Sequence, residues 1–237
     1  KDLGANHYVF SGLKECAYLH PETYDPNPSI RDRLGVGPDE PYAILRLNAF
    51  GSQHDVGKGG LSHEQCHRLI DRLSDDATIL VSDEGKDIAL EGLPARSFDL
   101  HPALIHDALA EARLLIADTQ TMVTEAALLG TPAIRSNSFV GDSDMGNFVA
   151  LEKQGLVHNV AHFSAVVDRA TTLLCDEGVD EEWERRRNEF LSDTTNLTEL
   201  LVDVATARGH VADLDSLRQF SQQPTSESRP PVGVGSD

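Results

Sequence analysis

Apolar residues along this chain follow two rhythms. Short β-rich runs of strand length occur at residues 42–47 (YAILRL), 78–81 (TILV), 114–116 (LLI), 133–134 and 156–160. A further short run, 96–100, is entered from the Leu93-Pro94 turn. Between them lie segments with apolar positions at helical spacing. In 63–73 these are Cys66, Leu69, Ile70 and Leu73; in 102–110 they are Leu104, Ile105, Ala108 and Leu109. Further helices are predicted at 30–34, 122–129, 147–154 and 166–174, and 181–207 reads as one long helix or two, anchored by Trp183. Six strands alternating with helices predict an α/β fold with a doubly wound parallel sheet.

The pattern changes at both ends. Residues 18–28, YLHPETYDPNP, form a proline-rich connector, so 1–28 is expected to join this domain to one before it. The domain proper is expected over 29–210. Residues 221–237, SQQPTSESRPPVGVGSD, are polar and rich in Pro, Gly and Ser, and the tail 211–237 is expected to be disordered.

Residues 114–134 organise the rest. The apolar burst ending at Asp118 suits a buried parallel strand. A polar turn follows at 119–121, then a helix that stops at Gly130, with Pro132 just beyond and an apolar segment at once after. In such a βαβ unit the turn faces the crevice where open α/β sheets bind ligands. The helix starting there, at Gln120 and Met122, presents unpaired N–H groups and a partial positive charge, which suits a phosphate. Thr119 and Thr121 add hydroxyl donors. Glu125 lies about one turn further in, where a carboxylate accepts hydrogen bonds from vicinal hydroxyls, as on a ribose. The competing reading is an ordinary βαβ turn whose Asp118 or Thr119 caps the helix. The turn lacks G-x-G-x-x-G, so a dinucleotide site is not indicated.

Charge narrows the partners. Acidic residues number 39 against 20 basic, for a formal charge of −19, and only five of the basic residues are Lys. Such a surface repels nucleic acid and acidic membranes. The acidic excess is spread along the chain, which points to adaptation to high salt, where screening removes self-repulsion. Cys16, Cys66 and Cys175 are far apart and read as reduced thiols of a cytoplasmic protein, with neither a disulfide framework nor a zinc site. No apolar run has the length of a transmembrane helix.

Four smaller groups carry candidate chemistry. Residues 48–60, NAFGSQHDVGKGG, follow the first strand and also lie at the carboxyl edge. There Gly57, Gly59 and Gly60 allow close backbone approach to an anion, Lys58 adds a point charge, and His54 and Asp55 can bond a sugar or phosphate; the alternative is a surface loop without function. His101 and His106 are five apart and do not share a helix face as metal ligands would; His101 reads as a turn residue with a lesser case for base contact, His106 as a packing histidine. Asp142 and Asp144 lie in a glycine-containing loop and, lacking a third ligand, read as solvated acids; no metal is expected. Residues 181–187, EEWERRR, show helix-stabilising charge spacing that needs no ligand.

The run D-T-Q-T-M-V-T-E-A-A-L-L-G-T-P-A-I, beginning at Asp118, resembles an archaeal family of uncharacterised proteins described as glycosyltransferases of the two-domain GT-B kind. This resemblance covers about residues 10–160. The run is also distantly similar to the D-S-G-G-x-x-E-E-A-x-x-L-G-x-P segment of UDP-N-acetylglucosamine 2-epimerases. By that likeness Thr119 stands where a phosphate-contacting Ser stands, and Glu125 where a ribose-holding Glu stands. Gln120 and Thr121 replace the two glycines, and RSNSFVGD at 135–142 replaces the epimerases' T-E-R-P-E. The resemblance implies a Rossmann-like domain forming the C-terminal half of a GT-B protein, with a UDP-sugar as substrate, no further cofactor, an unidentified acceptor and an N-terminal domain preceding this chain. It places His101 near the base, and its S/N-x-x-x-x-x-H-D segment supports His54 and Asp55 as donor-facing. A UDP-sugar epimerase and a non-catalytic nucleotide-binding protein are the alternatives.

Overall fold

The computed structural model describes residues 7–49, 59–141, 144–207 and 217–219. In chain order the elements are β1 (Tyr8–Val9), α1 (Cys16–Leu19), α2 (Ile30–Leu34), β2 (Tyr42–Leu47), α3 (His63–Leu73), β3 (Thr78–Asp83) and β4 (Ala95–Ser97). After a 3-10 turn at Pro102–Leu104 come α4 (Ile105–Ala110), β5 (Leu114–Ala117), α5 (Thr121–Leu129), β6 (Ala133–Arg135), α6 (Gly146–Lys153) and β7 (Val157–Asn159). The chain continues through α7 (Phe163–Cys175), α8 (Val179–Ser192), α9 (Leu197–Thr206) and β8 (Arg218–Gln219).

Six of these strands form one parallel sheet in the order β4-β3-β2-β5-β6-β7. The doubly wound sheet expected from the alternation is therefore present. The chain leaves β2 toward one edge, returns to β5 and proceeds to the other, so the strand order reverses between β2 and β5. Those two central strands are buried nearly throughout, which their uninterrupted apolar composition requires.

The helices follow from local signals. α3 opens with a capping box, Ser62 accepting from the Gln65 N–H while the Gln65 side chain accepts from Ser62. α5 is buried on every side from Val123 to Leu129, as its unbroken apolar sequence demands. It ends at Gly130, whose φ of 86° is the left-handed conformation that closes a helix. The 181–207 segment resolves into two helices, the second capped by Asn196. Trp183 anchors α8 by donating its indole N–H to the Leu156 carbonyl at 3.0 Å.

Other features depart from the sequence reading. The charges of 181–187 reach beyond their own helix: Arg186 donates to the Gly155 carbonyl and Arg187 to that of Leu128, at the carboxyl ends of α6 and α5. Guanidinium groups there satisfy carbonyls that lack an intrahelical partner and meet the negative ends of both helices. The 1–28 segment contributes α1, whose Cys16 and Leu19 are buried in the common core. Arg218–Gln219, within the stretch expected to lack structure, pairs antiparallel with Tyr8–Val9. No described helix is long and apolar enough to cross a membrane.

Candidate functional site

The reversal of strand order puts the loops after β2 and β5 side by side at the carboxyl edge of the sheet, where a crevice opens. Asp118, at the end of β5, ties the two together. Its carboxylate accepts from the Asn48 N–H at 2.7 Å and from the Leu61 backbone. Burial pushes its pKa up to about 6, against the lowering effect of those two amides and of Arg46. On the far side the Asn137 amide donates to the Asp118 carbonyl at 2.8 Å, holding the loop after β6 against the same point.

This arrangement decides what starts α5. Asp118 is committed to the β2 loop, and the Gln120 side chain makes no capping bond. The Thr119 hydroxyl oxygen is sealed from solvent and has no hydrogen-bond partner among the described residues. The capping-turn alternative is therefore not what the structure holds: the first N–H groups of α5 lack a side-chain cap. Thr121 is exposed and Met122 half-buried at this opening. An uncapped helix start at such a reversal point favours an anion.

Glu125 lies one turn in and is 7% exposed. Its Oε1 accepts the Tyr18 hydroxyl at 2.9 Å and contacts His106 Nε2 at 3.1 Å. Burial works to raise the Glu125 pKa, but the bonds from His106 and Tyr18, with the charges of His106 and Lys14, leave it below the ordinary value. His106 in turn sits against two aromatic rings, Tyr18 at 5.4 Å and Tyr24 at 6.0 Å between centroids. Tyr24 donates to Asp107 at 2.5 Å. Sequence reasoning did not connect Tyr18 or His106 with Glu125. The contacts span 107 and 19 residues, and the one available hint was two tyrosines in a connector otherwise built of turn residues.

The remaining candidates fall as follows. His54, Asp55, Gly57 and Lys58 lie outside the described residues. Gly59 donates to the Ser138 hydroxyl at 2.9 Å and accepts from the Ser138 N–H at 3.0 Å, so its polar groups face the loop after β6. A Cβ on Gly60 would lie 1.9 Å from Asp118 Oδ2; this glycine makes room for the protein's own carboxylate. His101 is exposed and its Nδ1 accepts from the Ala103 N–H at 3.2 Å, capping the turn before α4.

Asp144 corrects the picture of a solvated acidic loop. Its carboxylate is 6% exposed and pairs with Arg135, whose guanidinium is fully buried and stacks 3.7 Å over the Phe148 ring. Asp142 lies outside the described residues. A cleft of about 580 Å³ opens at the other, amino-terminal edge of the sheet. The charged groups lining it are largely engaged with one another, Arg31 with Glu111 and Arg113 with Asp180, and it lacks the features gathered at the carboxyl edge.

No protein-family model matches this chain, and neither does any curated protein. Solved structures do. The calicheamicin glycosyltransferase CalG4 aligns with a TM-score of 0.53 at 19% identity, over 80% of this chain and 45% of that one. A UDP-N-acetylglucosamine 2-epimerase from Listeria monocytogenes aligns with a TM-score of 0.57 at 13% identity, over 85% and 54%. MnaA of S. aureus, solved with UDP, gives 0.55 at 12% identity, over 80% and 50%. The chain has the fold of a GT-B Rossmann-like domain. This GT-B domain spans about half the length of each of those structures. Its reversal point, at Asn48 and Asp118, is where a fold of this kind presents its ligand-binding crevice.

Proposed function

We propose that this chain is the nucleotide-sugar-binding half, the C-terminal one, of a GT-B type glycosyltransferase, taking a UDP-sugar as donor. One observation carries the reading: an uncapped helix start at the strand-order reversal, with a buried, hydrogen-bonded glutamate one turn further in. In this reading the diphosphate rests on the first N–H groups of α5, from Gln120 to Met122, beside the exposed Thr121; the Thr119 hydroxyl, sealed from solvent, does not reach it. Glu125 takes the ribose hydroxyls. His54 and Asp55 face the donor sugar, and His101 lies toward the base.

The chemistry is glycosyl transfer. As the bond to the sugar breaks, charge accumulates on the leaving diphosphate, and a preorganised helix terminus stabilises it without a metal. The acceptor and the general base belong to an N-terminal domain of the same protein, so this chain alone binds the donor but does not turn it over. The likeness to a UDP-N-acetylglucosamine 2-epimerase supports a second reading, in which the same nucleotide site serves epimerisation.

Calorimetry with UDP in high salt tests the proposal. Glu125→Ala should weaken binding by roughly 1–3 kcal/mol, the loss of a buried charged hydrogen-bond acceptor. Unchanged affinity would remove Glu125 from the site, and no binding by the unaltered chain would reject the reading. For the complete protein, UDP released only with an acceptor supports transfer; a C2 epimer seen by NMR supports the epimerase.

A further inference from the structure

We infer that Tyr18 and His106 are positioning residues of the nucleotide site: together they saturate one oxygen of the Glu125 carboxylate and present the other to a ribose. The inference rests on the nucleotide-binding reading above and adds two residues to it, one of them from the segment before α2.

The two carboxylate oxygens of Glu125 differ in their surroundings. Both bonds to Glu125 from described residues converge on Oε1, the Tyr18 hydroxyl at 2.9 Å and His106 Nε2 at 3.1 Å. An oxygen with two donors has no lone pair to spare. Oε2 accepts no bond from a described residue, yet it is not among the buried polar atoms sealed from solvent without a partner. One oxygen is thus filled and its twin is reachable, on a residue otherwise 93% enclosed by its 7% exposure. A carboxylate left to rotate would lose conformational freedom on binding a diol; one already fixed by two donors does not.

The two donors are themselves held. The His106 ring lies between the Tyr18 and Tyr24 rings, and Tyr24 is fastened to Asp107 on α4. Tyr18 stands on α1, whose Cys16 and Leu19 are buried beside it. The site's ribose end is therefore assembled from three separate pieces, α1, α4 and α5.

The test compares three probes on the whole chain: UDP, 2′-deoxy-UDP and inorganic pyrophosphate. In the unaltered protein, loss of the 2′-hydroxyl should weaken binding about tenfold, the scale of one hydrogen bond to a charged group. Tyr18→Phe should weaken UDP about fivefold, reduce the UDP to deoxy-UDP ratio to about two, and leave pyrophosphate unchanged. His106→Ala should act in the same way, and His106→Gln, which keeps an N–H donor, should restore most of the ratio. An unchanged ratio in Tyr18→Phe, or an equal loss for UDP and pyrophosphate, overturns the inference while Glu125→Ala still abolishes the ratio. A ratio that survives Glu125→Ala overturns the ribose role itself, and an unaltered chain that binds no UDP overturns both. Thermal melting of each variant separates misfolding from mispositioning, and Tyr18→Phe, lacking one oxygen, is the variant that keeps the fold.

Discussion

At the scale of single residues, Asp118 is the group whose environment is most at odds with its chemistry. It is an acid buried at the end of a central strand, and burial lifts its pKa to about 6. The native state therefore holds the proton more tightly than the unfolded chain. Its contribution to stability is complete below the ordinary aspartate value near 3.8 and is lost as pH rises through about 6. The shift corresponds to something on the order of 3 kcal/mol. His158 works in the opposite sense over an overlapping range. Burial, with Arg169 and Arg186 nearby, depresses it to about 4, so its contribution is present above about 6.5 and lost as pH falls through 4. Bulk unfolding curves would mix the two. A carboxyl-carbon NMR titration isolates Asp118, and a midpoint near 6 is expected; one near 4 would show that the carboxylate is solvated. Gly60 tests the same contact from the other side. Gly60→Ala forces a methyl group into the Asp118 side chain, and denaturant titration should show a loss of roughly 1–3 kcal/mol.

At the scale of elements, the helix starts and ends differ in how they are satisfied. α3 is closed by its own sequence, so Ser62→Ala should cost about 1 kcal/mol through the local cap. α5 is closed at its end by Gly130 and by Arg187 reaching across from α8, and it is left open at its start. Arg187→Met should lower stability by roughly 1–3 kcal/mol, by leaving the Leu128 carbonyl without its donor, while UDP affinity stays constant. A parallel loss of UDP binding would mean that α8 and the start of α5 are coupled. The local periods of the sequence were enough to place β2, α2 and α3 at their observed bounds. They were not enough for α1 or for the β1–β8 pair, which are four and two residues long and exist because distant segments meet there.

At the scale of the whole molecule, a charge of −19 on 237 residues makes the chain repel itself. Raising salt from about 0.1 M to above 1 M shortens the Debye length from roughly 10 Å to 3 Å, so the melting temperature should climb with added KCl. A flat profile would show that the acidic groups are spaced widely enough to ignore one another. The buried side chains of Cys16 and Leu19, with the hydrogen bond from Tyr18 to Glu125, also make a chain cut before residue 29 less stable than the intact one, which differential scanning calorimetry would detect.

The sequence by itself determined the class of fold and singled out the turn after β5, where the nucleotide site is proposed. A two-residue rhythm or a short apolar run, a 3.6-residue rhythm, and glycine or proline at their ends act between near neighbours, and near neighbours are what a sequence displays. Only the tertiary structure decided what occupies each polar atom. Whether Asp118 caps a helix or pins a loop, whether Asp144 is solvated or paired with Arg135, and which hydroxyl reaches Glu125 all depend on groups brought together across the sheet. Burial then sets the outcome, because away from water each charge must take whichever partner the packing supplies.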